Sequence, residues 1–197
     1  MIVLLDTSEK LDLCAQELQL PVGQLLTPLT RFSLRDAAMP WAIDNGAYSE
    51  FDGASFLSLL KREEYHKDDC LFVAVPDVVG SARRTAEMFV RWKECLAGWR
   101  LALVVQDGQE GVEIPWDDID CIFIGGTTEF KYQAKPIIQA AKMLGKRIHA
   151  GRVNTPDRFL YFESLGIDSI DGSGISQYSH MRYAIANRNA QYQLIEE

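Results

Sequence analysis

The sequence predicts a single-domain α/β protein over residues 1–197, folded as a compact (β/α)8 TIM barrel. Three observations predict it. Eight short apolar runs each stop at a polar or glycine residue, amphipathic stretches lie between most of them, and the polar stops follow nearly every run. Alternating strand and helix implies parallel strands joined by right-handed crossovers. In a closed barrel the carboxyl ends of all eight strands converge on one mouth. In an open doubly wound sheet, the alternative architecture, only the ends near the switch point are used.

The first run, Ile2–Leu5, stops at Asp6, and a helix is expected over 8–18 with Leu11, Leu13, Cys14 and Leu18 as its apolar residues. The run at 24–26 stops at Thr27, and the stretch 28–38 after it is too short and irregular for a full helix. Trp41–Ile43 stops at Asp44 and leads to a helix over 54–62. The run at 71–75 stops at Asp77, and Ser81 can cap a helix over 81–96. Leu101–Val105 stops at Gln106 and Asp107. Cys121–Ile124 stops at Gly125 and Gly126, and a helix over 132–144 ends at Gly145. Arg147–Ala150 stops at Gly151 and Arg152; Thr155 caps a helix over 155–165, Pro156 opens it, and Gly166 closes it. The run at 169–170 stops at Asp171, and 180–190 forms the last helix. The first, fourth, fifth and sixth runs are almost continuously apolar, as strands covered on both faces are.

Composition narrows the function classes. With 47% apolar and 24% charged residues, the chain is globular rather than disordered. The opening apolar run is cut by Asp6, and no run approaches the ~20 residues of a membrane span, so neither a signal peptide nor a membrane partner is expected. Cys14, Cys70, Cys95 and Cys121 are scattered without a C-x-x-C pair, which fits a reduced, cytoplasmic chain. A net charge of −8 argues against a general nucleic-acid coat protein. The charge is uneven: residues 1–120 hold 11 Lys/Arg and 21 Asp/Glu, and residues 121–197 hold 9 and 7. The basic C-terminal third can still meet a phosphate group.

The mouth of such a barrel holds Asp6, Asp44, Asp77, Asp171 and Gln106, with glycine-rich turns at Gly125, Gly126 and Gly151. Strand-end carboxylates can act as nucleophile, general acid or base, or metal ligand; a single one can equally be a helix cap. Asp44 and Asp171 are the least cap-like, since Asn45-Gly46 follows the first and Gly172-Ser173-Gly174 the second. His66, His149 and His180 form no metal motif, and His149 reads as a core histidine. Neither zinc nor a cofactor is expected. No Lys stands at a strand end, against Schiff-base chemistry. Gly125 and Gly126 can cup a phosphate or a base edge with backbone N–H groups. Tyr48 and Phe130, just past strand ends, are placed to stack on a flat ring.

Five segments, in order from about residue 41 to 172, resemble the tRNA-guanine transglycosylases and their DNA-modifying relatives that insert 7-deazaguanines. Asp44-Asn45-Gly46-Ala47-Tyr48 is similar to the family's D-S-G-G-F, and Val75-Pro76-Asp77 stands where the family has a base-recognising Asp. Val105-Gln106-Asp107-Gly108 is similar to V-Q-G-G, and Ile124-Gly125-Gly126-Thr127-Thr128-Glu129 to G-G-L-x-V-G-E. The most specific is Ala150-Gly151-Arg152-Val153-Asn154-Thr155-Pro156 followed by Gly166-Ile167-Asp168-Ser169-Ile170-Asp171, similar to M-G-V-G-T-P…G-I-D-M-F-D.

The resemblance implies a (β/α)8 barrel, which agrees with the strand count, and N-glycosidic bond chemistry. Asp171 would be the nucleophile and Asp44 the general acid/base. Asp77, Gln106 and the Gly125 and Gly126 backbone would bind a purine-like base, with Glu129 nearby. Tyr48, Gly151 and Arg152 complete the expected binding set. The chain departs from the family in three ways: no C-x-C-x-x-C…H zinc motif follows Asp171, Gly172-Ser173-Gly174-Ile175 replaces the basic P-T-R segment, and Asp107 replaces the second glycine of V-Q-G-G. The expected partner is therefore a purine-like base or nucleotide; a nucleic-acid substrate is open but not favoured by net charge. Two other readings stand beside it. One is a non-catalytic barrel holding a purine-like or phosphorylated ligand. The other is a phosphosugar-type barrel, with Gly151, Arg152 and the Gly172–Gly174 turn as a phosphate cup.

Overall fold

The computed structural model describes residues 1–6, 9–32 and 38–188. Eight parallel strands close into a barrel in sequence order: β1 (Ile2–Leu5), β2 (Val22–Leu26), β3 (Trp41–Ile43), β4 (Cys70–Ala74), β5 (Leu101–Val105), β6 (Cys121–Ile124), β7 (Arg147–Ala150) and β8 (Ser169–Asp171). Closure comes from β1 against β8, with Ile2 opposite Ser169, Val3 opposite Ile170 and Leu4 opposite Asp171. The chain is thus a single (β/α)8 barrel, and the doubly wound alternative is excluded.

Side chains alternate along the strands, as the strand period requires. Leu4, Leu25, Ala42, Phe72, Ala74, Ala102, Val104, Cys121 and Phe123 fill the barrel interior. Their neighbours Val3, Leu5, Leu26, Ile43, Val73, Leu103, Ile122 and Ile148 turn outward into a larger core beneath the helices. Each such side chain contributes about 1.5–3 kcal/mol by leaving water, which is why both-face-apolar strands suit this fold.

The helices are α1 (Leu11–Leu18), α2 (Gly53–Glu63), α3 (Ala82–Trp92), α4 (Thr128–Gln133), α5 (Lys135–Met143), α6 (Pro156–Ser164), α7 (Ser173–Gln177) and α8 (Ser179–Ala186). Ser81 accepts from the Arg84 N–H and Thr155 from the Arg158 N–H, the two caps read from sequence. Two expectations need correction. The helix expected over 132–144 is two helices, because Pro136 lacks an N–H and opens a new helix rather than continuing one. Thr127 starts the first of them four residues early by capping the Phe130 N–H. The β5–β6 connection has only 3-10 turns at Gln109–Gly111 and Trp116–Asp118, since its glycines, Pro115 and acidic run provide no apolar face. The expected start of the first helix at Ser8, residues 33–37 of the stretch after β2, and the expected end of the last helix at Ala190 lie outside the described residues.

Candidate functional site

The strand carboxyl ends open on one cavity of about 730 Å³. Asp6, Asp44, Asp77, Gln106 and Asp171 all line it, as do Tyr48, Gly125, Gly126, Gly151 and Arg152. Glu129 does not: it is exposed on α4 and accepts from Gln133 one turn on. Phe130 is buried in the outer core instead of facing a ligand. None of the four strand-end aspartates is an N-cap of a described helix, so the capping explanation does not account for them; Asp52 caps α2 in the place after Asp44.

Asp44 follows β3 and is accessible only in part, through the cavity. Burial first, then the negative charges of Asp171 and Asp77, raise its pKa to about 7 against the backbone N–H groups of Gly46 and Asn45 that favour its anion. Asp77 is raised as well, chiefly by burial, and two amides oppose the shift. Asn45 donates to Asp77 Oδ1 at 2.8 Å and also reaches the Val75 carbonyl at 2.9 Å. Gln106 donates to Asp77 Oδ2 and, at 3.1 Å, to the Thr85 hydroxyl, while its own carbonyl accepts from the Gly80 N–H at 2.6 Å. Gln106 is therefore engaged on both its amide atoms within the protein, and its evident work is to hold Asp77 toward the cavity.

Asp171 ends β8 and is gripped from β7. Its Oδ2 pairs with His149 Nε2 at 2.9 Å, and its Oδ1 accepts from the Arg152 backbone N–H at 3.0 Å. His149 is fully buried in the barrel interior, its ring 4.9 Å from Phe72 and 4.5 Å from Phe123, and its other nitrogen meets the Ser169 hydroxyl at 2.9 Å. A carboxylate accepts, so the hydrogen on Nε2 points to Asp171, and the Ser169 hydroxyl meets the other ring nitrogen. The sequence reading of His149 as a core residue caught its burial and missed this partnership. The inward alternation of β7 and β8, which puts residues 149, 169 and 171 on the same side, carried the signal.

Gly151 is required by space. A Cβ there would stand 2.4 Å from Phe123 Cε2 and 3.2 Å from Asp171 Oδ2, so only glycine lets β7 pass this close to the carboxylate. The next residue, Arg152, is non-glycine yet left-handed at φ 58°, a conformation that costs about 1–3 kcal/mol and persists at functional sites. That bend directs its N–H to Asp171 while its guanidinium lies 3.6 Å above the Tyr48 ring. Tyr48 thus stacks on a cation of the protein itself.

Lys131 was not foreseen, because it comes from helix α4 and not from a strand end. Its ammonium reaches back to the carbonyls of Gly125 (3.1 Å) and Gly126 (2.9 Å). Burial first, then the Arg152 charge, lower its pKa to about 8. The Gly125 N–H is spent on the Val105 carbonyl in the sheet. Asp107 joins the β5 and β6 ends by accepting from the Thr127 N–H (2.9 Å) and hydroxyl (2.6 Å). The turn after Asp171 packs on the β7 loop, with the Gly174 N–H given to Asn154 Oδ1 at 3.0 Å, so part of that expected phosphate cup is already occupied. Among the described residues no group of three or more His, Cys, Asp or Glu is arranged to hold a metal ion, and no helix is long and apolar enough to cross a membrane.

No protein-family model matches the chain, and no curated sequence matches it. Solved structures do resemble it. The crystal structure of phosphoribosyl anthranilate isomerase from Thermus thermophilus is 12% identical with a TM-score of 0.50, over 97% of this chain and 98% of that one. The crystal structure of the Amycolatopsis orientalis BexX/CysO complex is 10% identical with a TM-score of 0.55, over 98% of this chain and 89% of that one. At these identities the likeness is one of fold.

Proposed function

We propose that the protein is an enzyme of N-glycosidic bond chemistry, exchanging or releasing a guanine- or 7-deazaguanine-type base on a nucleotide or nucleic acid, in line with its resemblance to the transglycosylases. The observation that carries this reading is the convergence of Asp44, Asp77 and Asp171 on one cavity, with Asp44 raised to about 7 by burial and by the other two. Two carboxylates with divergent environments are what an acid and a nucleophile need. Asp171, oriented by His149 and the Arg152 N–H, attacks the anomeric carbon. The carbon–nitrogen bond breaks, its electron pair goes to the base, and protonated Asp44 delivers the proton that the base takes up. The sugar is left as an ester on Asp171. Asp44, now ionised, takes a proton from an incoming base or water, whose nitrogen or oxygen attacks the anomeric carbon and frees Asp171. A nearby carboxylate also stabilises the oxocarbenium character of both transition states. Asp77, fixed between Asn45 and Gln106, accepts from the donor edge of the base.

Intact-protein mass spectrometry after incubation with guanine nucleotides and oligonucleotides tests the reading. Wild type gains a glycosyl adduct and Asp171→Asn does not. Asp44→Asn slows base release by on the order of 10²–10⁴. Asp77→Asn weakens base binding by about 1–3 kcal/mol. Full activity in Asp171→Asn would refute the nucleophile assignment. A second reading, a barrel that holds a phosphorylated or purine-like ligand without turnover, is favoured by the cations Lys131 and Arg152 beside the mouth. It is the one left if ligands bind and no adduct or base release is seen.

A further inference from the structure

Beside the main cavity lies a smaller one of about 290 Å³, bounded by the chain after β4, β5, β6 and β7. The two share Val79, Gly126, Lys131 and Arg152, so they are neighbouring compartments of one mouth. Three cations line the smaller one: Lys131, Arg152 and Arg158. Lys131 is only 3% exposed and gives two of its three N–H groups to the Gly125 and Gly126 carbonyls. Arg158 donates through Nη1 to the Arg152 carbonyl at 3.0 Å, and its Nε is buried without a hydrogen-bond partner among the described residues. The Arg152 guanidinium carbon lies 3.6 Å from the Tyr48 ring centre, and a guanidinium over a ring keeps N–H donors for a further partner. No ion pair within the described residues neutralises any of the three. The one carboxylate lining the compartment, Asp107, has an oxygen on each of the Thr127 donors.

A buried ammonium beside two guanidinium groups, one of them with a buried, unpartnered Nε, is costly unless something compensates it. Guanidinium forks and an ammonium are the donor set that phosphate oxygens accept from. We propose that this compartment is an anion subsite that binds a phosphate group of the substrate. Arg152 links it to the reacting centre, since its backbone N–H holds Asp171 while its side chain lines the subsite. Resting on the glycosidic reading above, the subsite makes the substrate a phosphorylated nucleoside, not a free nucleoside. A nucleotide monoester and a nucleic-acid phosphodiester share this chemistry. Lys131 faces Arg152, Arg158, Asp107 and Asp171, and the first two disfavour its charge. A bound phosphate reverses that balance.

Calorimetric titration of the intact protein with inorganic phosphate, guanosine, guanosine 5′-monophosphate and a short single-stranded oligodeoxynucleotide tests the subsite. Phosphate binds wild type, and Arg158→Gln and Lys131→Met each weaken it by on the order of tenfold or more. The monophosphate binds more tightly than guanosine by a similar factor; both variants erase that advantage, and Arg158→Gln, which lies outside the main cavity, leaves guanosine affinity in place. Arg158 is partly exposed and its variant keeps the test valid if Lys131→Met does not fold. An oligonucleotide that shares the loss identifies the phosphate as one of a nucleic-acid backbone; loss confined to the mononucleotide identifies a free nucleotide. Phosphate binding unchanged in Arg158→Gln, or no phosphate binding by wild type, overturns the subsite. Phosphate bound normally by a protein that binds no guanosine upholds the subsite and removes the base reading instead.

Discussion

At the scale of single residues, Asp44 has the most distinctive chemistry. Its folded pKa of about 7 stands above the ordinary 3.8, so between those values the folded protein holds a proton that the unfolded chain has lost. By linkage, this group's contribution favours folding below about 4 and turns unfavourable as pH rises toward 7. Asp44→Asn keeps the shape and removes the titration. Its melting temperature relative to wild type is therefore expected to rise from pH 5 to pH 8, measured by thermal unfolding across that range; a constant difference would contradict the assigned ionisation. In the glycosidic reaction proposed above, the same proton would serve the acid step, so cleavage should decline as pH passes about 7. His149 teaches the converse lesson. Its type and its apolar neighbours in the sequence are those of a core residue, and the pairing with Asp171 depends on β7 and β8 being adjacent in a closed barrel.

Among the elements, the strands were legible because each is a buried apolar run ended by a polar residue; five have the expected bounds, and β2, β4 and β8 differ by a residue or two. Helices with a cap and an amphipathic face, such as α3 and α6, were legible for the same local reasons. The β6–β7 crossover was not, because what starts α4 is Thr127, whose position is fixed by a residue 20 places earlier, Asp107. Nor was α7, a five-residue helix that opens with Ser173-Gly174 and reads as a loop. Thr127 both caps α4 and anchors Asp107, so Thr127→Ala is expected to cost about 1–2 kcal/mol, the upper range for a cap, in urea unfolding. Lys131 sits one turn beyond that cap, which makes the variant a probe of the mouth as well as of the helix.

For the molecule as a whole, barrel closure brings α1 and α8 together. Arg182 on α8 is buried, pairs with Glu17 on α1, and donates to the Ile175 and Ser176 carbonyls at 2.6 and 3.1 Å. The Ser176 hydroxyl in turn donates to Asp6 at the end of β1, at 2.8 Å. Removing one partner of a buried pair leaves the other groups without compensation, so Arg182→Ala should lower unfolding free energy by roughly 3–5 kcal/mol, read from the denaturant midpoint. The barrel and its mouth were legible in sequence because they follow from the order of apolar runs. The smaller compartment was not. It is made by Lys131 and Arg158, helix residues that turn back toward strand ends, and no local pattern announces that return.

Asn45, Asp77 and Gln106 tie the ends of β3, β4 and β5 to one another before any ligand arrives. A flat polar molecule entering there meets a wall already assembled, and three loops need not be frozen for it to bind. The ordering cost of association then falls mainly on the ligand, as in pre-organised receptors. Loosening the wall at a point the ligand does not reach, such as the Thr85 hydroxyl behind Gln106, should therefore show up as a less favourable binding entropy, with the ligand's own contacts unchanged.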